Sequence, residues 1–140
     1  MAVNIFLDTN LWVYLHADSV PQKQAIVRKL IVDDFETITI SAQVLGELFN
    51  VLTKKQLTTP EKARAIVLEM AMTFPVLEID TAKVITALDI HSQYGYSYWD
   101  SLILATAFLN NCQIVYSEDM HHNQLIESSL RIVNPFVANP

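Results

Sequence analysis

Asp8, Glu47, Asp100 and Asp119 are the side chains of this sequence whose type and placement could do chemistry. Asp8 ends the apolar run Ile5-Phe6-Leu7 and precedes the polar pair Thr9-Asn10. Glu47 borders the apolar arc formed by Val44, Leu48, Val51 and Leu52 at helical spacing. Asp100 opens a run that is apolar on nearly every side (Leu102, Ile103, Leu104, Ala105, Ala107, Phe108, Leu109), and Asp119 lies two residues beyond the strand-like stretch Gln113 to Ser117. Each has a plainer use. Asp8 or Asn10 can cap a following helix, Ser97 and Asp100 stand at capping-box spacing, and Asp119 can cap a turn. Glu47 is harder to explain away, because no basic residue lies one turn toward the N-terminus to pair with it. One shared cause is more economical than four separate ones. Carboxylates gathered with few cations nearby repel unless a hard divalent ion neutralises them, and oxygen ligands of this kind suit Mg²⁺ or Mn²⁺.

The elements that must position these acids follow from periodicity and caps. Asn4 to Leu7 reads as a buried strand delivering Asp8 to its carboxyl end, where ligands of open α/β sheets sit. Short helices are predicted over Leu11 to Leu15 and Pro21 to Ile31, the second with proline in its first turn. Thr37 to Ile40 reads as a strand, and Ser41 caps a helix running to about Lys55. Thr58 and Glu61 have capping-box spacing at the start of a helix ending near Thr73. Val76 to Ile79 is a further strand. Thr81 opens a helix stopped by Gly95, and Tyr98 to Asn111 is an all-round buried helix. Gln113 to Ser117 is a strand, Asn123 to Glu127 a short helical turn, and Leu130 to Val133 a last strand at the sheet edge. Gly46, inside a helix, predicts a close approach beside Glu47. Alternating strands and helices imply a mostly parallel sheet covered on both faces, and all four acids then emerge at one edge of it.

The 140 residues, 51% of them hydrophobic, suit one domain spanning residues 1–140. The start has no basic segment ahead of an apolar one, and no window reaches transmembrane length, so a soluble, cytoplasmic protein with no membrane association is expected. A single cysteine, Cys112, excludes an internal disulfide and has no spaced partner for a metal. The net charge of −6 argues against a nucleic-acid partner, although acids gathered around divalent ions account for part of it. His121-His122 follow Asp119, but loop histidines without partners are commonplace, and His16 and His91 lack companions at ligand spacing. Trp12, Tyr96, Tyr98 and Trp99 flank the acids and could stack on bases, with core packing the simpler use.

Four segments in order, Ile5-Phe6-Leu7-Asp8-Thr9-Asn10, Val44-Leu45-Gly46-Glu47-Leu48, Asp100-Ser101-Leu102-Ile103-Leu104-Ala105 and Ser117-Glu118-Asp119-Met120, resemble the motifs of PIN-domain ribonucleases. The likeness is greatest to the VapC-type toxins of bacterial toxin–antitoxin pairs. It covers essentially the whole chain. It implies a three-layer α/β/α sandwich, Mg²⁺- or Mn²⁺-dependent RNA cleavage, a homodimer, and inhibition by a small cognate antitoxin. Asp8, Glu47, Asp100 and Asp119 correspond to the acidic tetrad, and Thr9, Asn10 and Ser117 to polar supports of metal, water or phosphate. The chemistry would be metal-activated attack of water on a phosphodiester. Other acid-bearing α/β families fit less well. A haloacid-dehalogenase-type phosphatase wants a second aspartate where this chain has Asn10, and a response-regulator receiver wants a late lysine, of which none follows Lys83. A catalytically inactive PIN-like module that binds RNA or a protein stays open. The helices Pro21 to Ile31 and Thr58 to Thr73 carry more apolar residues (Ile26, Val27, Leu30; Ile66, Leu68, Met70, Met72) than one stripe needs, which implies either deep burial or a partner surface, for which the family offers an antitoxin helix.

Overall fold

The computed structural model describes residues 3–137. Among these, six strands form one sheet in the order β3-β2-β1-β4-β6-β5. The chain runs β1 (Ile5–Leu7), α1 (Thr9–His16), α2 (Pro21–Asp34), a 3₁₀ turn (Phe35–Thr37), β2 (Ile38–Ser41), α3 (Ala42–Lys54), α4 (Pro60–Thr73) and β3 (Val76–Leu77). It continues through α5 (Thr81–Tyr94), α6 (Tyr98–Leu109), β4 (Ile114–Tyr116), β5 (Leu125–Ile126) and β6 (Leu130–Val133). β1 pairs in parallel with β2 and β4, matching Ile5 with Ile38 on one side and with Ile114 on the other. Only the β5–β6 pair is antiparallel among the described residues. Helix pairs make the crossovers, giving the α/β/α layering of a mostly parallel sheet with both faces covered.

This order places a topological switch point beside β1: the chain leaves β1 toward β2 and β3, then crosses to β4 on the other side. The crevice outside the carboxyl ends of two such diverging strands is where α/β sheets bind ligands. The scaffold behind it is dry. Phe6, Leu7, Ile40, Val115 and every residue of α6 from Ser101 to Ala107 are buried, and each large apolar side chain so placed contributes about 1.5–3 kcal/mol.

Local rules set most boundaries. The Ser41 hydroxyl accepts from Val44 N (3.2 Å) to start α3, and Gly95, in the left-handed region at φ 80°, closes α5 with its N–H on His91 O. α3 and α6 both end in Schellman turns. Leu57 N and Cys112 N bond back to Leu52 O (2.9 Å) and Ala107 O (3.0 Å), with Gln56 and Asn111 at positive φ.

Several expectations need correction. α4 is capped by Thr59, whose hydroxyl accepts from Lys62 N, and not by Thr58, because Pro60 at the first helical position fixes the start one residue later. The segment expected as a helical turn over Asn123 to Glu127 instead forms β5, joined to β6 by a tight turn in which Ser129 N bonds to Ile126 O. Glu127 and Ser128, at φ 50° and 61°, take the left-handed positions of that turn, which usually go to Asn and Gly. Tyr94 holds them there, its hydroxyl accepting from Glu127 N (3.0 Å). β6 consequently lies inside the sheet, and β5 is the edge. Among the described residues no helix is long and apolar enough to cross a membrane.

Gly46 also departs from expectation: it is exposed, and a Cβ built there meets nothing within 4 Å. Gly46→Ala should therefore stabilise the protein by about 1 kcal/mol, the helix-propensity difference alone. Urea unfolding measures it, and a loss of stability would restore a packing role for this glycine.

Candidate active site

Asp8 directly follows β1 and is the N-cap of α1. Its backbone N–H bonds to Tyr116 O (2.9 Å), completing the β1–β4 ladder. One carboxylate oxygen accepts from Thr9 N (2.7 Å) and the other from the Ser117 hydroxyl (2.8 Å), which belongs to the residue just past β4. The capping use of Asp8 is thus realised, and it does not exhaust the side chain. Thr9 turns the other way, donating its hydroxyl to Glu47 Oε1 (2.7 Å), while Asn10 donates its amide to Asp119 Oδ2 (2.9 Å). Two consecutive residues, Thr9 and Asn10, therefore hold three acids, Asp8, Glu47 and Asp119. Asp100 sits in the first turn of α6, its N–H on the Ser97 hydroxyl (3.1 Å) as the capping spacing predicts.

All four acids line one cleft of about 550 Å³, together with Thr9, Asn10, Asn50 and Lys55. Ser117 is fully buried behind Asp8. Lys55 is the one cation in this lining among the described residues, carried there by the turn that ends α3. Asn10 Oδ1 is buried without a hydrogen-bond partner, leaving an acceptor in the wall of the cleft.

Residues that sequence reasoning passed over complete the frame. Glu118, beside Asp119, accepts from the Tyr14 hydroxyl (2.5 Å) and pairs with Lys23. The Lys23 ammonium in turn lies 4.9 Å from the centre of the Tyr14 ring and 5.1 Å from that of Phe136. The loop that carries Asp119 is thereby fastened to α1, α2 and the C-terminal segment. Gln43, one turn before Glu47, spans Glu47 Oε2 (3.5 Å) and Trp99 O (3.0 Å). The Lys23–Glu118 pair is invisible in the sequence because it joins the start of α2 to the loop after β4. The histidines have other work. His122 Nδ1 accepts from Asn134 N (2.9 Å), and the exposed His121 ring rests against Tyr96. Trp12 and Tyr96 are core residues, whereas Trp99 is exposed.

The donor set consists of hard oxygens with almost no competing cation. Among the described residues no three His, Cys, Asp or Glu side chains converge into a ready-made metal cage. Oxygen donors of this kind fit a hard divalent cation that keeps several of its waters.

A family model described as PIN domain matches residues 5–127. The fold resembles that of the VapC20 toxin of Mycobacterium tuberculosis, described as cleaving the sarcin–ricin loop, with a TM-score of 0.71 at 20% identity over 83% of this chain and 90% of that one. A toxin–antitoxin complex from Klebsiella pneumoniae gives a TM-score of 0.71 at 18% identity, covering 95% of this chain and 98% of its counterpart. DNA-bound VapBC from Salmonella typhimurium gives 0.70 at 21% identity, over 93% and 96%. At these identities the likeness is one of fold. No curated protein matches the chain in sequence.

Burial governs the electrostatics of the cleft. It pushes the Asp8 carboxyl from 3.8 up to about 6, against the pull of the Ser117 and Thr9 bonds, and the charges of Asp100 and Glu47 add to the rise. Asp100 is raised by burial first and by Asp119 second. Because the folded-state value of Asp8 lies above its unfolded one, its contribution to stability is fully present below about pH 4 and is lost as pH rises through 6. The loss is on the order of 3 kcal/mol. Asp8→Asn keeps a capping side chain and removes the charge. The metal-free variant should melt above the unaltered protein at pH 8 and gain nothing at pH 4; coincident melting curves at pH 8 would refute the assigned strain.

Proposed function

We propose, from the premise that this chain belongs to the PIN domain family, that it is a Mg²⁺- or Mn²⁺-dependent endoribonuclease and the toxin of a toxin–antitoxin pair. One observation carries the reading: four carboxylates from four segments line a single cleft at the switch point of the sheet, facing one lysine. Asp8, Glu47, Asp100 and Asp119 are the side chains that would hold the metal. A bound divalent ion would activate a water for in-line attack on phosphorus and stabilise the departing oxygen. The residues around it prepare the geometry. Ser117 and Thr9 fix both oxygens of Asp8, Thr9 sets the rotamer of Glu47, and Asn10 sets that of Asp119. The buried walls formed by Leu7, Ile103 and Leu104 limit water behind the acids, which strengthens every interaction on the open side. No side-chain nucleophile is required.

The partner reading rests on exposed apolar surface. α2 leaves Ile26 and Val32 exposed, and α4 leaves Leu68 and Met72, the last at 88%. Two of the structural relatives are toxin–antitoxin assemblies. We infer that a small antitoxin lays an amphipathic helix against α2 and α4, and that a separate face, including Ile85 and Leu88 of α5, joins two copies of the chain into a homodimer. A cytoplasmic location follows from an RNA substrate.

Cleavage of RNA should stop in excess chelator and return with Mg²⁺ or Mn²⁺. Asp8→Asn should lower the rate by at least two orders of magnitude in a folded protein, since an amide neither offsets metal charge nor orients its water. Chelator-resistant cleavage at the same rate sinks the metal mechanism. Co-expression with the adjacent reading frame tests the partner: a stable complex with suppressed cleavage is expected. Binding without inhibition, or no complex at all, removes the toxin reading and leaves the nuclease one standing.

A further inference from the structure

We propose that Trp99 is a stacking platform for an unpaired base of the RNA beside the cleavage site; the proposal rests on the nuclease reading above. Of the aromatic residues around the acids, Trp12 is 1% exposed with its indole N–H on Leu7 O (3.2 Å), and Tyr96 is buried. Trp99 is 61% exposed. An indole can remove 150–250 Å² from water, and one left outside a core this dry stands out from its neighbours.

The exposed ring is also anchored. Trp99 is the second residue of α6, immediately before cleft-lining Asp100. Its carbonyl accepts from Gln43 (3.0 Å), whose amide also reaches Glu47. A T-shaped contact with Tyr98, ring centres 5.0 Å apart at 74°, steadies the indole. The backbone that carries the indole is therefore tied to Glu47 through Gln43 and adjoins Asp100, with the ring standing outside the lining of the cleft.

Charge supplies the argument for its ligand. A chain of net charge −6, with one lysine among the residues lining its cleft, gains little from phosphate contacts. Stacking needs no charge, is worth about 1–3 kcal/mol per base, and accepts any base with a free face. Paired bases inside a duplex present no such face. The acidic character that weighed against a nucleic-acid partner thus selects the way one is held.

The test uses the full chain with Mg²⁺ in the Asp8→Asn background, titrated with a ten-nucleotide RNA of mixed sequence, single-stranded or annealed to its complement. The single strand should change the tryptophan fluorescence and the duplex should not. Trp99→Ala should weaken single-strand binding about tenfold or more, and Trp99→Phe should retain most of it. With Asp8 intact, Trp99→Ala should raise KM by a similar factor and leave kcat nearly unchanged. Cleavage abolished by Asp8→Asn but indifferent to Trp99→Ala overturns the stacking role and keeps the nuclease. Equal binding of the duplex overturns it too. Binding that depends on Trp99 in a protein that cleaves no RNA supports the platform and overturns the nuclease reading.

Discussion

Burial of a carboxylate, with other acids beside it, at the carboxyl ends of β1 and β4 is the constraint around which the molecule is arranged. Folding buries Asp8 and sets Glu47 and Asp100 near enough to resist its ionisation. A chain bears that cost only if other interactions hold the acids in place. The polar supports do so at short range, with Thr9, Asn10 and Ser117 each giving a hydrogen bond to a carboxylate. At longer range the apolar layer of β1, β4 and α6 keeps the strand ends from parting. Stability is spent at the site and recovered in the core, an arrangement common to functional centres.

Much of this was legible in the residues. A buried strand ending in Asp8, the Ser41 cap, the Gly95 stop and the buried helix after Asp100 all follow from local rules, and local rules also bring the four acids to one edge. What escaped was long-range or against preference. Glu127-Ser128 carries no hairpin signature, because Tyr94 from another element holds the left-handed turn, so β5 was read as helix and β6 as the edge. The clamp of Lys23 on Glu118 joins residues 95 positions apart. The close approach expected at Gly46 is absent, since a Cβ there meets nothing within 4 Å. The four aromatic residues beside the acids look alike in sequence, and only burial separates Trp12 from Trp99.

Apolar surface is distributed unevenly among the helices. α6 hides its side chains completely through seven successive residues, whereas α2, α4 and α5 each leave large ones in water. Scattered exposed hydrophobes need no explanation, but several on neighbouring turns of amphipathic helices are typical of surfaces completed by association.

The bonds that assemble the cleft also carry a timetable. Asp8 to Ser117 and Asn10 to Asp119 each span 109 positions, nearly the length of the described chain. Contacts so remote in sequence close late, because the loop entropy they must overcome is among the largest in the fold. During synthesis, β1 leaves the ribosome long before β4 exists, and at about 5–20 residues per second the interval lasts many seconds. Throughout it Asp8 lacks Ser117 and Asn10 lacks Asp119. A nascent or truncated chain that lacks Ser117 and Asp119 therefore has no assembled centre, and the cleft can close only after β4 and the residues just past it have been made.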